Sequence, residues 1–307
     1  MSYEVIVIGA GPAGLTAGIY LARAKLKAII LEKLAPGGQV IITTKVENYP
    51  GFPKGINGPE LMLLFEQQVR NLGIEIRTAF AVNEIRLEGE KKLVVGEGET
   101  LETKAIILAT GARFKKLGVP GEERLTGRGV SYCATCDAPF FQGMDVAVIG
   151  GGNTAIVEAL HLTKFAKKVF IIHRRDELRA AKALQEEAFK NEKIEFIWNT
   201  IVKEIKGENK VEGLVLENVK TGEKEELKVN GCFIFIGFQP NSELVKDLVS
   251  LDENGYIITD NFCQTSIPGI FAAGDVRNGP LKQIATAVGD GAIAAVGAEK
   301  YLSGWKK

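Results

Sequence analysis

Two segments of the chain, residues 5–33 and 146–175, repeat one pattern of apolar and polar positions. Each opens with a β-branched apolar run, VIVIG or VAVIG, and continues through glycines into a stretch rich in Ala, Leu and Ile. Each closes with a second apolar run, AIILE or VFIIH. Short apolar runs of this kind predict buried strands, and a helix between two strands implies that they pair in parallel. The sequence therefore predicts the same strand–helix–strand unit twice.

Patterning outside the repeat predicts how the chain is divided. Residues 102–112 and 260–276 are each predicted to form a strand that runs into a turn of small residues, and residues 283–302 a long helix. Connectors that contain Pro and Gly, GARFKKLGVPGEE and IGFQPNSEL, lie on either side of the second repeat. We predict the α/β class, with two Rossmann-like three-layer domains. The first comprises residues 1–114 plus 241–307, and the second, residues 115–240, is inserted into it.

Composition narrows the class of protein. Of 307 residues, 46% are hydrophobic and 25% charged, which is typical of a globular chain and excludes a disordered or fibrous one. Lys plus Arg and Asp plus Glu both number 38, so net charge favours neither nucleic acid nor an anionic membrane as partner. The apolar stretch at residues 5–22 contains glycines and a proline, which favour a strand, turn and helix over a membrane span. Because the N-terminus lacks the basic segment of a secretory signal, we expect a cytoplasmic protein.

The glycine turns of the two repeats match the fingerprint of a dinucleotide-binding site. In this fingerprint the first Gly forms a tight turn and the second lets backbone approach a pyrophosphate. The third, where Ala is tolerated, lets the helix pack on the strand. Glycine turns are common and a purely structural turn is the alternative, but the flanking strand and helix favour nucleotide binding. The matching positions are Gly9, Gly11 and Gly14 in the first repeat and Gly150, Gly152 and Ala155 in the second.

The ends of the second strands differ between the repeats and predict different nucleotides. Glu32 provides a carboxylate for a ribose diol, as a cofactor without a 2′-phosphate requires. The second repeat has His173, Arg174 and Arg175 at the corresponding place, with Arg179 following, and guanidinium groups suit a 2′-phosphate. The pair of cofactors that meets these two requirements is FAD with NADPH. A solvated basic helix start is the alternative interpretation of HRRDELR.

The segment Cys133-Ala134-Thr135-Cys136-Asp137 contains the candidate chemistry. In a cytosolic protein, a CxxC beside strand–helix–strand patterning favours a redox-active pair over a structural disulfide. Zinc is the alternative, but it needs four ligands, and we predict no metal site. Cys232 and Cys263 lie singly in predicted apolar strands and are interpreted as inert core thiols. Asp137 is either a proton donor and acceptor for the dithiol or a cap of the helical turn that carries it.

Together these motifs resemble those of bacterial-type, low-molecular-weight thioredoxin reductases over essentially the full length of the chain. The matching segments are GAGPAG, GGQV followed by TTKVENYPGF, ATGA, CATCDAPFF, GGGNTA, HRRDELRA and TSIPGIFAAGDV. Their order is specific, because the Cys pair comes after the first domain and just before the second fingerprint. One departure stands out: many members have Arg-Gln-Ala where this chain has Lys282-Gln283-Ile284, and Lys lacks the planar donor fork of Arg.

The resemblance implies specific roles for residues. Cys136 would face the flavin, Cys133 would attack the protein disulfide, and Asp137 would act as acid and base. FAD would be held by the first domain and NADPH by the second, inserted domain. The implied FAD contacts are Gly9, Gly11, Pro12, Ala13, Gly14, Glu32, Lys33, Gly38, Gln39, Val40, Asn48, Val82, Ala109, Thr110, Gly111, Gly274, Asp275, Lys282, Gln283 and Ile284. The implied NADPH contacts are Gly151, Gly152, Asn153, Thr154, His173, Arg174, Arg175 and Arg179.

The resemblance also implies the reaction, reduction of the thioredoxin disulfide by NADPH through FAD and the dithiol, and a homodimer. Since both the dithiol and NADPH must meet one flavin, we expect a domain rotation about connectors near residues 113–118 and 238–243. A related reductase that serves a glutaredoxin-like or peroxiredoxin-like protein, or a small dithiol, is the alternative function. A flavin NADP⁺ reductase without a dithiol and a non-catalytic flavin sensor are disfavoured by CATCD and by the two fingerprints.

Overall fold

The computed structural model describes residues 2–43 and 46–304, and the chain forms two compact units. Unit 1 comprises Met1–Arg113 and Gln239–Lys307, and unit 2 comprises Phe114–Phe238. The strands in chain order are β1 Ser2–Ile8, β2 Ala28–Leu31, β3 Glu75–Arg77, β4 Val82–Glu88, β5 Lys91–Gly96, β6 Glu99–Leu108, β7 Ala112–Phe114, β8 Val130–Ser131, β9 Asp145–Ile149, β10 Lys168–Ile172, β11 Ile194–Ile197, β12 Thr200–Lys206, β13 Gly213–Asn218, β14 Lys224–Leu227, β15 Gly231–Ile234, β16 Phe238–Pro240 and β17 Ile270–Ala272. The α-helices are α1 Pro12–Arg23, α2 Gly58–Asn71, α3 Glu122–Leu125, α4 Ala134–Asp137, α5 Asn153–Leu162, α6 Lys182–Lys190 and α7 Ile284–Leu302, and short 3₁₀ helices cover Gly38–Ile42, Ala138–Phe141, Glu243–Val245 and Gly274–Val276.

Unit 1 is built on a parallel sheet with the strand order β3-β2-β1-β6-β17. The first half of β6 also pairs with antiparallel β5, which continues into β4. Val5 and Val7 share a core cluster with α1 and α7, whereas Ile6 and Ile8 share one with the β4–β5 hairpin. Since both faces of the sheet are covered, β1 is apolar at every position from Val5 to Ile8.

Unit 2 repeats the same layers. Its parallel sheet has the order β11-β10-β9-β15-β8, and its antiparallel layer is β12-β13-β14. Val146 and Val148 pack on the side of α5, whereas Ala147 and Ile149 pack on the side of the antiparallel strands. Each unit is thus a three-layer α/β domain, and the predicted fold class is confirmed.

The chain crosses between the units twice, through β7 and β16, which pair as a two-stranded sheet. On the side of unit 1, the N–H of Asn241 donates to the carbonyl of Gly111 at 2.9 Å. On the side of unit 2, the N–H of Lys115 donates to the carbonyl of Gly237 at 3.0 Å. The two crossings therefore lie side by side.

Local structure agrees with the sequence in most of these segments. The predicted strand–helix–strand units are β1-α1-β2 and β9-α5-β10, each with parallel pairing, and the predicted long helix is α7. The prediction of a strand across residues 260–276 is wrong for most of that range, because the strand covers Ile270–Ala272 alone and Gln264 makes an isolated bridge to Phe271. Cys263 lies in a turn with φ +60°, not in a strand. No helix in the described part of the chain has the length and apolar character to cross a membrane.

Candidate functional site

The first glycine turn joins β1 to α1 and is tightly packed on one side only. Gly9 has φ +106°, and a Cβ there would lie 2.3 Å from the carbonyl oxygen of Ala109. A Cβ on Gly14 would lie 1.9 Å from the carbonyl oxygen of Gly9, so neither position accepts a side chain. Above Gly11, by contrast, the nearest described atom is the Cα of Gly38 at 3.9 Å. The turn therefore leaves backbone exposed where a phosphate group would approach.

Glu32, at the end of β2, is bound to this turn. Its Oε2 accepts a hydrogen bond from the N–H of Ala10 at 2.8 Å, and its Oε1 accepts one from the N–H of Leu34 at 3.0 Å. A carboxylate oxygen has two acceptor sites, so each oxygen retains capacity for a hydroxyl. Lys33, the next residue, is exposed.

The other residues that sequence assigned to FAD all lie in unit 1, where Ala109 and Gly38 pack against the first turn. Ala13 packs on Gly274, whose Cβ position lies 2.9 Å from the Ala13 methyl group, and Asn48 donates to Gln283 at 2.9 Å. Two of the others make hydrogen bonds to backbone: Gln39 donates to the carbonyl of Ala112, and Thr110 donates to the carbonyl of Asn241 at 2.7 Å. Val40 is buried in the 3₁₀ helix that follows Gly37. The remaining residues lie at the ends of elements: Pro12 begins α1, Gly111 precedes β7, and Val82 begins β4 at the edge of the core.

Asp275, in the 3₁₀ helix Gly274–Val276, interacts electrostatically with Lys282, which lies two residues before α7. Burial raises the pKa of Asp275 to about 6, and the charge of Lys282 opposes this rise. Lys282 donates to the carbonyl of Arg277 at 2.5 Å, and its ammonium lies 4.4 Å from the ring centroid of Tyr256. Gln283 caps α7 and Ile284 is its first residue. The lysine at this position is therefore held by a carbonyl and an aromatic face rather than by a bidentate contact.

The second glycine turn has the same one-sided packing. A Cβ on Gly150 would lie 2.4 Å from the carbonyl oxygen of Phe235, and a Cβ on Gly151 would lie 2.5 Å from the ring of His173. At Gly152 no described atom lies within 4 Å of the Cβ position. Asn153 begins α5 and accepts a hydrogen bond from the N–H of Ala181 at 2.7 Å. Gly152, Asn153, Thr154 and Arg179 line a pocket of about 130 Å³ together with Phe114, Ala155 and residues 234–238.

His173 lies beneath this turn and is only 5% exposed. Burial lowers the pKa of His173, and the charges of Arg174, Arg175 and Arg179 lower it further, so the imidazole is neutral near pH 7. Its Nε2 is buried without a hydrogen-bond partner in the described structure. The side chains of Arg174 and Arg175 are exposed, while the N–H of Arg179 donates to the carbonyl of Gly151 at 2.7 Å. The charges of all three arginines thus act on His173, and Arg179 is bound through its backbone to the glycine turn.

Cys133 and Cys136 form a disulfide at the start of α4. Their Cα atoms are 5.3 Å apart, and the N–H of Cys136 donates to Sγ of Cys133 at 3.2 Å. Cys133, not Asp137, therefore caps this helical turn, and Asp137 makes no capping hydrogen bond. The alternative that Asp137 caps the helical turn that carries the two cysteines is wrong.

Ser131 connects Asp137 to Cys133, a link that the sequence analysis missed. Its hydroxyl donates to Oδ2 of Asp137 at 2.6 Å and accepts from the N–H of Cys133 at 3.1 Å. Burial raises the pKa of Asp137, and the hydrogen bond from Ser131 partly opposes the rise. A carboxyl group that binds its proton more tightly than usual is suited to donating it to a neighbouring sulfur. Glu158, on α5, was also missed and accepts from the N–H of Thr135 at 3.2 Å.

The two remaining cysteines have no such surroundings. Cys232 and Cys263 are both buried free thiols, and burial raises the pKa of each, that of Cys263 to about 12. Buried thiols of high pKa are inert. Across residues 2–43 and 46–304, no group of three or more His, Cys, Asp or Glu side chains is arranged to hold a metal.

Comparison with known proteins agrees with these features. The model of the family described as "Pyridine nucleotide-disulphide oxidoreductase" matches residues 3–291. A thioredoxin reductase from Peptoclostridium acidaminophilum is 50% identical, with 98% of this chain and 97% of the relative covered. A bifunctional thioredoxin reductase/thioredoxin from Mycobacterium leprae is 48% identical, with 98% of this chain and 66% of the relative covered.

Solved structures agree as well. The crystal structure of thioredoxin reductase from Streptococcus pyogenes is 50% identical and has a TM-score of 0.90, with 99% of each chain covered. The predicted resemblance is confirmed by sequence and by structure. This chain belongs to the thioredoxin reductases, within the pyridine nucleotide-disulphide oxidoreductase family.

Proposed function

We propose that this oxidoreductase is an NADPH-dependent thioredoxin-disulfide reductase that uses FAD and the Cys133–Cys136 dithiol. The observation that carries the proposal is the Cys133–Cys136 disulfide, formed on a turn that packs against α5, the helix that begins at the second glycine turn. The reaction converts NADPH, a proton and the disulfide of thioredoxin into NADP⁺ and the thioredoxin dithiol. FAD and NADPH are the cofactors that family membership implies.

Unit 1 is proposed to hold FAD. The open backbone above Gly11, beside Gly38, fits the close approach of a pyrophosphate, whereas a side chain at Gly9 or Gly14 would collide with backbone. The carboxylate of Glu32 is fixed by two backbone N–H groups and retains acceptor sites for the ribose hydroxyls. The residues named above around this turn, from Gly9 to Ile284, form the proposed binding set.

Unit 2 is proposed to hold NADPH. The open side of Gly152, beside Thr154 and Arg179, leaves room for the approach of a phosphate group, and the buried Nε2 of His173 has a hydrogen-bonding site to offer. Arg174 and Arg175 are exposed at the end of β10, where a 2′-phosphate is expected in this fold. Gly151 contributes chiefly by making room for the ring of His173.

The dithiol is proposed to work by thiol–disulfide exchange. When bound, FAD would carry the electron pair from NADPH to the Cys133–Cys136 disulfide. The Cys133 thiolate, stabilised by the N–H of Cys136, then attacks the thioredoxin disulfide and releases one thioredoxin thiolate. Cys136 attacks the mixed disulfide at Cys133, which releases the second thiolate and re-forms the Cys133–Cys136 bond. Asp137, buried and bonded to Ser131, supplies or accepts the proton.

The partner is proposed to be thioredoxin, and the protein to be a cytoplasmic homodimer with no nucleic-acid or membrane partner. The Mycobacterium leprae relative supports the partner, since its name joins both proteins in one chain. Rotation of the units about the paired strands β7 and β16 is proposed to let the dithiol and NADPH reach the flavin in turn.

The function is tested by following NADPH oxidation with a panel of disulfide proteins: thioredoxin, a glutaredoxin and a peroxiredoxin. We expect thioredoxin to give the highest kcat/KM. Cys133→Ser should abolish disulfide reduction while NADPH still bleaches the flavin, and Cys136→Ser should trap thioredoxin through Cys133. Higher kcat/KM with another member of the panel would overturn the choice of thioredoxin. Trapping through Cys136 in Cys133→Ser would reverse the two roles.

A further inference from the structure

Glu158 contacts the backbone between the two cysteines. Its Oε2 accepts a 3.2 Å hydrogen bond from the N–H of Thr135, the residue immediately before Cys136. Glu158 comes from a different element, α5, and reaches the turn 23 residues along the chain from Thr135. The outer ends of the turn are held separately by Ser131. Glu158 therefore fixes the middle of the dithiol turn.

The same carboxylate brings negative charge to a turn that must also carry a thiolate. The N–H groups of Thr135 and Cys136 are neighbours in the chain, and one donates to Glu158 while the other donates to Sγ of Cys133. A carboxylate near a thiol disfavours the thiolate, because like charges repel. The hydrogen bond from Cys136 and the charge of Glu158 thus act in opposite directions on Cys133.

We propose that Glu158 is a positioning residue for the dithiol, which holds the backbone between the cysteines and whose charge disfavours the Cys133 thiolate. A less stable thiolate lowers the stability of the reduced dithiol relative to the disulfide. The dithiol is then a stronger reductant. This inference rests on the proposed dithiol chemistry. Burial raises the pKa of Glu158, and the charge of His161, one turn along α5, opposes this rise. Asp137, whose pKa burial also raises, lies at the end of the turn.

The test uses the FAD-loaded protein, reduced with dithiothreitol and freed of it, without NADPH or thioredoxin. The rate of Cys133 alkylation by iodoacetamide is measured from pH 5 to 10, with the modified peptide identified by mass. Glu158→Gln keeps the shape and one acceptor oxygen but removes the charge, Glu158→Ala removes both, and Glu158→Asp keeps the charge. Glu187→Gln, at an exposed position on α6, is the matched control.

We expect E158Q and E158A to lower the pKa of the Cys133 thiol by about 0.5 to 1 unit, and E158D and E187Q to leave it near that of the parent. In the dithiothreitol equilibrium, the reagent loses two electrons and two protons as the Cys133–Cys136 disulfide gains them. E158Q should shift this equilibrium toward the protein dithiol by about twofold to tenfold at pH 8.

An unchanged thiol pKa and equilibrium in both E158Q and E158A would overturn the proposal and leave Glu158 a purely structural acceptor. A shift in E158D as large as that in E158Q would do the same, because it would not follow the charge. Since neither readout needs NADPH or thioredoxin, failure here leaves the proposed reductase function intact, and failure of that function leaves these titrations valid.

Discussion

The hydroxyl of Tyr132 donates a 2.7 Å hydrogen bond to Oε1 of Glu122, a carboxylate that is only 1% exposed. The same carboxylate accepts from the N–H groups of Leu117 at 2.9 Å and Gly118 at 2.7 Å. The ring of Tyr132 stacks on that of Phe114, with centroids 4.8 Å apart. One buried carboxylate therefore ties the beginning of unit 2 to the residue that precedes Cys133.

Tyr132→Phe should measurably destabilise the protein. Burial and the Glu122 carboxylate raise the pKa of Tyr132, so the hydroxyl stays protonated and donates at all ordinary pH values. Its removal leaves Glu122 buried with one donor fewer, which should lower the free energy of unfolding by about 1–3 kcal/mol. Urea denaturation followed by tryptophan fluorescence measures the change, and Tyr20→Phe, at an exposed ring of unit 1, is the control. Equal denaturation midpoints for Tyr132→Phe and the parent would contradict the assignment.

Asp275 should make stability depend on pH in a definite direction. Burial raises the pKa of Asp275 from 3.8 to about 6, so the folded state binds a proton that the unfolded state has released. Its contribution to stability is complete below pH 4 and is lost as the pH rises through 6. The shift corresponds to about 3 kcal/mol.

Comparison of variants isolates this contribution from that of the other carboxyl groups. The free energy of unfolding of Asp275→Asn and of the parent is measured by urea titration after FAD has been removed. Between pH 4 and 6.5, this free energy should decrease less with rising pH in Asp275→Asn than in the parent. Asp247→Asn, at an exposed position of unit 1, should leave the slope unchanged. Parallel curves for Asp275→Asn and the parent would show that the buried carboxyl does not titrate as described.

Sequence patterning predicted those elements whose burial is encoded locally. β1, α1 and β2, and likewise β9, α5 and β10, are apolar runs separated by glycines, and a strand buried on both faces has no other pattern. The antiparallel layers were not predicted, because strands such as β4 and β14 are mostly polar: β4 buries one of its seven positions and β14 buries none. Cys263 was misplaced because an apolar neighbourhood does not reveal a positive φ.

The sequence likewise identified some residues of the candidate site and missed others. Cys133 and Cys136 were identifiable from residue type and spacing, and the structure joins them in a disulfide. Ser131 and Glu158 were not identifiable from the sequence. A serine two residues before a cysteine is a common pattern, and Glu158 reaches the turn from another helix. Contacts between elements depend on packing, which spacing along the chain does not specify.

Glu32→Ala should weaken FAD binding by about tenfold or more, because it removes the proposed ribose acceptor and also leaves the N–H groups of Ala10 and Leu34 without their partner. Glu32→Gln keeps one acceptor oxygen but turns an N–H₂ toward a donor, so it should also bind more weakly than the parent. Titration of FAD-free protein with FAD, followed by flavin fluorescence, gives the Kd. Glu60→Ala, exposed on α2, is the control. Parent-like affinity in Glu32→Ala would show that the first turn is not the FAD site.

The preference for NADPH over NADH tests the proposed nucleotide site at the second glycine turn. Arg174 and Arg175 are exposed beside His173, and Asp176, the nearest carboxylate in sequence, is paired with Lys220 at 2.6 Å. This ion pair reduces the competition that Asp176 would offer for the arginines. A 2′-phosphate held by charge-assisted hydrogen bonds should contribute about 1.5–3 kcal/mol per contact.

We therefore expect NADPH to be preferred over NADH by tenfold or more in kcat/KM, mainly through KM, because the 2′-phosphate is remote from the hydride. Changing Arg174 and Arg175 together to Ala should remove most of the preference and leave the reaction with NADH nearly unchanged. Lys220→Ala, which frees Asp176, should reduce the preference to a smaller degree. Steady-state kinetics with both nucleotides and saturating thioredoxin measure all three effects. Equal kcat/KM for NADPH and NADH in the parent protein would show that the arginines are surface charge and do not bind a phosphate.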